Sequence, residues 1–297
     1  MKSDKLLENQ RKHQHQIMFE HILYDEFCPF GWTEDIESIR FTKERSIEDN
    51  GIIYKNKKCA EIEFNTKGKM YKISEYHNDE LFKVINYDYD NDGKLINSRD
   101  FYVQSNDRFE SIFRYNECGD MTEISYINLS ENSTPCNHKN IFTYNRDGNL
   151  VQKHRLYYEL NSQDRSDSWD TYIYNEDGNI VFHLDVLRGG FCCLDKRYLY
   201  DNNGNIITIY NNDEFESITS YEYDAEGRVI MESKFMDFSN IESDSETDLD
   251  EYDNDKCGET EYKNEFEYDE RGNVVSCVES VDNKVVGRSE WKIKYRE

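Results

Sequence analysis

The sequence predicts an all-β chain of tandem β-hairpins forming an extended, curled antiparallel sheet, with a helical segment at its N-terminus. Three observations predict it. A pattern of aromatic, any, aromatic, Asn or Asp, any, any, Gly, any, apolar recurs eight times, broken only by the apolar Ile62 at the first position of the first copy. Aromatic residues make up 14% of the 297 residues, with 23 Tyr and 16 Phe, so rings can build a core where the apolar fraction is only 36%. Fourteen glycines stand against two prolines, so glycine does most of the chain reversal.

The repeat fixes each element in turn. Its copies run Ile62/Phe64/Asn65/Gly68/Met70, Tyr87/Tyr89/Asp90/Gly93/Leu95, Phe113/Tyr115/Asn116/Gly119/Met121 and Phe142/Tyr144/Asn145/Gly148/Leu150. They continue as Tyr172/Tyr174/Asn175/Gly178/Ile180, Tyr198/Tyr200/Asp201/Gly204/Ile206, Tyr221/Tyr223/Asp224/Gly227/Val229 and Phe266/Tyr268/Asp269/Gly272/Val274. Rings at i and i+2 share one face of a strand. The Asn or Asp that follows opens a turn by bonding the backbone two residues on. The glycine takes a positive φ in a type I turn closed by a G1 bulge. The apolar residue two positions later starts the return strand on the ring-bearing face. Glycine spacings of 25, 26, 29, 30, 26, 23 and 45 residues suit a hairpin plus a connection, except the last. Eight hairpins give roughly sixteen strands.

The segments YDNDGKL, YNRDGNL, YNEDGNI, YDNNGNI, YDAEGRV and YDERGNV resemble the Rhs/YD-repeat family over about Ile62 to Val278. The resemblance implies a β-repeat architecture, of the kind that forms shells around toxin domains in large members. It also implies genetic company with polymorphic toxins.

Outside the repeats, residues Lys5 to Phe27 read as a helix that Pro29 and Gly31 end, giving a cap over residues 1–30 ahead of a repeat domain over 55–297, with a partner-binding helix as the alternative to the cap. The long last spacing holds an insert at 240–263. Its acids Glu242, Asp244, Glu246, Asp248, Asp250, Glu251, Asp253 and Asp255 read either as a mobile, solvated loop or as a lure for a basic partner.

The net charge of −26 repels nucleic-acid phosphates and anionic membrane surfaces and favours cationic proteins. No signal peptide or membrane-spanning run is visible, and eight Cys lack any CxxC pair, so reduced thiols and a cytoplasmic location are expected. Asp88 to Gly93 matches the opening of a calcium loop, but its twelfth position is Arg99 where a bidentate Glu belongs. His13 and His15 do not share a helix face, and His183 reads as a surface or a satisfied sheet residue. No HExxH, GxSxG or phosphate-loop motif occurs. The expectation is a non-enzymatic protein with no cofactor and no metal: an immunity protein that neutralises a basic toxin, such as a nuclease. A scaffold array is the alternative, with a calcium- or carbohydrate-binding module behind it.

Overall fold

A computed structural model describes residues 35–49, 52–130, 136–159, 165–187, 192–212, 216–237 and 259–296. The predicted N-terminal helix lies outside them. The described chain is all strand and turn. Its strands are β1 (Ile36–Asp49), β2 (Ile52–Phe64), β3 (Met70–His77), β4 (Glu80–Tyr89), β5 (Leu95–Tyr102), β6 (Arg108–Tyr115), β7 (Met121–Asn128), β8 (Cys136–Tyr144) and β9 (Leu150–Glu159). They continue as β10 (Arg165–Tyr174), β11 (Ile180–Leu187), β12 (Cys192–Tyr200), β13 (Ile206–Asn212), β14 (Glu216–Tyr223), β15 (Val229–Asp237), β16 (Glu259–Tyr268), β17 (Val274–Val281) and β18 (Lys284–Tyr295).

The eight predicted hairpins are β2–β3 through β16–β17. Gly68, Gly93, Gly119, Gly148, Gly178, Gly204, Gly227 and Gly272 all have positive φ, between 73° and 91°. In the first hairpin Gly68 N–H donates to Asn65 O at 2.9 Å, while the Asn65 side chain accepts from Lys67 N–H and Lys69 N–H. Tyr71 is the extra residue of the bulge that follows, because Phe64 pairs with Met70 and Glu63 with Lys72.

The expected extended, curled sheet is a closed barrel. Each strand pairs antiparallel with the next, from β1–β2 to β17–β18, and β18 pairs with β1. Eight hairpins alone leave β2 and β17 as edges with unpaired N–H and C=O groups. β1 and β18, which carry no motif, fill that gap and bring the count to eighteen. Phe41 packs on Trp291 across the seam, with ring centroids 5.1 Å apart. At the turn end Arg271 pairs with Asp35, and Arg296 N–H donates to Asp35 O at 2.8 Å.

Alternation puts the ring-bearing face inside. Toward the glycine turns the interior is apolar, with Ile36, Ile39, Phe41, Ile62, Ile73, Ile124, Leu150 and Ile180 almost fully buried. A ladder of hydroxyls reinforces it. Tyr89, Tyr115, Tyr144, Tyr174, Tyr200, Tyr223 and Tyr268 each donate at 2.5–2.8 Å to the carbonyl that opens the return strand of the preceding hairpin. The second ring of the motif is therefore a clamp between hairpins as well as core. Phe64, the first in the series, has no hydroxyl for it.

Candidate functional site

Along each strand the same inward face changes character toward the opposite rim, where the connections other than glycine turns lie. Two residues beyond an apolar position the alternation delivers a charge. On β4 it gives Tyr87, Ile85 and then Lys83; on β10 it gives Tyr172 and then Asp170. The upper interior is thus a polar lumen.

Its charges meet in pairs set by register. The Lys83 side chain is only 4% exposed and its ammonium lies 2.7 Å from Asp100. Glu75 stands opposite Lys83 across β3–β4. Arg155 on β9 spans two strands, reaching Asp170 at 3.1 Å and Asp185 at 2.5 Å. His183 Nε2 lies 2.8 Å from the same Asp170 oxygen, so of the two expected readings His183 is the satisfied sheet residue and not a surface one. Burial opposes ionisation of Asp170, but the hydrogen bond with His183 and the fields of Lys153 and Arg155 outweigh it, and its pKa falls below the usual carboxylate value. At the seam Lys43 reaches over β18 to Glu279 at 2.6 Å. Gly287 makes room for this: a Cβ there would sit 2.7 Å from Glu279 Oε2.

Rings line the wall between these clusters. Tyr102 meets Phe109 edge-on, and His138 stacks between Tyr126 at 3.9 Å and Tyr157 at 5.4 Å. A cavity of about 410 Å³ lies among them, bounded by Lys83, Asp100, Asn140, Arg155 and these rings. That volume falls in the range of small-molecule sites. Arg155 Nε and Asp170 Oδ2 find no hydrogen-bond partner among the described residues. Asp170, held ionised beside fixed cations, suits recognition better than proton transfer, which needs a group poised near the working pH.

Charge is segregated between the faces. Between the rims, the described inner face carries eight Lys and Arg (43, 45, 58, 83, 153, 155, 196 and 234) against six Asp and Glu (75, 100, 170, 185, 232 and 279). The whole excess of −26 therefore lies elsewhere on the chain.

The sequence-predicted residues divide sharply. Gly68, Gly93, Gly119, Gly148, Gly178, Gly204, Gly227 and Gly272 hold the predicted turn conformation. None of the eight lines the cavity. Each amide donates to the carbonyl of the Asn or Asp three residues earlier: Gly93 to Asp90, Gly119 to Asn116, Gly148 to Asn145, Gly178 to Asn175, Gly204 to Asp201, Gly227 to Asp224 and Gly272 to Asp269, as Gly68 does to Asn65. The acidic residues Glu242, Asp244, Glu246, Asp248, Asp250, Glu251, Asp253 and Asp255 fall in 238–258, outside the described residues; β16 takes up the end of the predicted insert from Glu259. Of the calcium-like segment, Asp88 pairs with Arg99 and Asp90 accepts from Lys94 N–H at 2.8 Å, so both carboxylates serve the hairpin. Among the described residues no cluster of metal ligands forms. The luminal charges went unpredicted, although charged residues in step with the rings (Lys83 with Ile85 and Tyr87) were the available signal.

The family model described as Teneurin YD-shell matches residues 100–241, and the same hairpin repeats on both sides of that match. Over those residues the chain carries the repeat of that YD-shell family. No curated protein matches this YD-repeat chain by sequence. Among solved structures it is similar to TcdB2-TccC3-TEV, at 12% identity and a TM-score of 0.30, over 87% of this chain and 16% of that one. It is similar to a porin-like protein from Bacteroides uniformis at 11% identity and a TM-score of 0.44, over 89% and 98%. It is similar to the Photorhabdus luminescens Tc holotoxin pore at 12% identity and a TM-score of 0.31, over 86% and 15%. The YD-repeat chain thus spans about a sixth of each Tc toxin chain it matches.

Proposed function

We propose that this YD-repeat barrel is a non-enzymatic binding protein whose acidic exterior engages a basic protein in the cytoplasm, acting as an immunity protein against a cationic toxin. The charge segregation carries the reading. The described inner face has a slight surplus of cations, so the negative excess belongs to residues outside that face, those of the described outer strands and turns and those of the acid-rich sequence 238–258. An exterior field of one sign speeds encounter with an oppositely charged partner.

Two further features support it. Closure leaves no free strand edge among the described residues, which speaks against a scaffold that extends a larger sheet through its edge. The outward positions of β16 and β18 are charged in succession: Glu261, Lys263, Glu265 and Glu267, and Arg288, Glu290, Lys292 and Lys294. A lipid-facing wall is apolar, and a Lys or Arg at the bilayer midplane costs ~2–4 kcal/mol.

The deciding experiment co-expresses the chain with basic toxin domains, any encoded by adjacent genes first, scores survival, and isolates any complex at low and high salt. Protection together with a salt-sensitive complex is expected. Intact toxicity and no complex with any of those domains would end the reading.

A second reading has its own observation. The ring-lined cavity beside Asn140, Arg155 and Asp100 presents the apolar faces and hydrogen-bonding groups that a saccharide uses. Its test is a glycan array with Tyr126→Ala and Tyr157→Ala as controls; no wild-type signal removes it.

A further inference from the structure

Resting on the reading as an acidic binding protein, the geometry points to one part of the outer wall as the docking surface: the cross-strand row Tyr210, Ile218 and Phe235 on β13, β14 and β15. Register places Tyr210 opposite Ile218 and Ile218 opposite Phe235, all on the outward face. Their exposures are 42%, 40% and 36%. Directly paired side chains of this kind lie about 5 Å apart at Cβ, so the three form one continuous apolar strip.

The neighbours of the strip make it accessible. The next outward row toward the glycine turns is Thr208, Ser220 and Ser233, short hydroxyl side chains that leave the two rings standing above the sheet. Arg197 closes the strip at one end and Glu261 at the other. Toward the rim, the next outward register positions belong to Glu216, Asp237 and Glu259. The sequence between Asp237 and Glu259 is itself rich in Asp and Glu.

An exposed aromatic strip bordered by acids is matched by a cationic protein surface: an apolar side chain set among Lys and Arg. Charge brings the partner in, and the desolvated aromatic contacts hold it, as at interface hot spots. The occupant is therefore a basic protein segment with apolar anchors. An uncharged apolar partner leaves the bordering acids without a counterpart.

Fluorescent synthetic peptides test this on the full chain. One alternates Lys/Arg with Leu/Phe, a second replaces Leu/Phe by Ser, and a third replaces Lys/Arg by Ser. The Tyr210→Ser/Ile218→Ser/Phe235→Ser variant is compared with an Ile173→Ser/Leu199→Ser control at other exposed outward positions. All are checked for a wild-type circular dichroism spectrum and melting temperature. The first peptide should bind wild type and control alike and lose at least tenfold on the triple variant, while the other two bind far more weakly. Equal binding of the first peptide to the triple variant overturns the strip but leaves the acidic-exterior reading standing. No binding of either cationic peptide overturns both. Two other results would assign the strip a different occupant and overturn the proposal: wild-type dimers abolished by the triple variant, or binding that appears only after residues 1–34 are removed.

Discussion

Alkaline pH attacks this barrel through the repeat that builds it. Burial pushes Tyr89, Tyr115 and Tyr223 up to about 12, and moves Tyr144, Tyr174, Tyr200 and Tyr268 in the same direction. All seven donate to a backbone carbonyl, a bond the phenolate cannot make. In the unfolded chain they ionise near pH ~10. Because the folded values are raised, this contribution is fully present below pH ~10 and is lost as pH rises through the folded values. These rings are only partly buried, so about half the shift is discounted for solvent screening. One unit per tyrosine then remains, worth ~1.4 kcal/mol, or roughly 10 kcal/mol over the seven. The whole stability of a domain is only ~5–15 kcal/mol. The barrel should therefore unfold in one cooperative step between about pH 10 and 12. Tyrosinate absorbance and far-ultraviolet circular dichroism, followed in the same titration, should change together. Replacing Tyr144, Tyr174 and Tyr200 by Phe should move the midpoint to higher pH. Tyrosinate that accumulates gradually around pH 10 while the sheet signal survives to pH 12 would refute the ladder as the cause.

Other outcomes follow from single contacts. Tyr144→Phe removes the 2.6 Å bond to Met121 O and should cost about 1 kcal/mol in urea unfolding, whereas Phe64→Tyr, at the start of the series, should not gain a matching amount. Asp170→Asn leaves Lys153 and Arg155 in the lumen without their shared anion and should cost about 3–5 kcal/mol at neutral pH. Since the folded pKa of Asp170 is lowered, its contribution is present above the unfolded value of ~3.9 and lost as pH falls through the folded value; the gap between wild type and variant should close in acid. Gly287→Ala puts a methyl 2.7 Å from Glu279 Oε2 and 3.3 Å from Glu44 O, and should cost about 1–3 kcal/mol by thermal melting. Adding Glu279→Ala should recover part of that loss, and strict additivity of the two would show that the carboxylate is not what the methyl displaces.

How much was legible in the sequence varies with how local the cause is. Asn65, Gly68 and Met70 announce their hairpin because an Asx turn, a positive φ and period-two alternation involve neighbours only. The inward direction of Tyr87 and Ile85 was legible for the same reason. The luminal role of Lys83 was masked because a charge in phase with rings reads as an interruption until a partner strand supplies Asp100. Tyr210, Ile218 and Phe235 are scattered in sequence, and register alone makes them one strip.

The sequence by itself determined the all-β class, the eight hairpins, the turn chemistry and the excess of acid. The tertiary structure decided closure, since strand number and twist must agree around the whole ring and the two closing strands, β1 and β18, carry no motif. It also decided that the paired charges face a lumen while the acid excess lies elsewhere, because an open, curled sheet has no fixed inside until its edges meet.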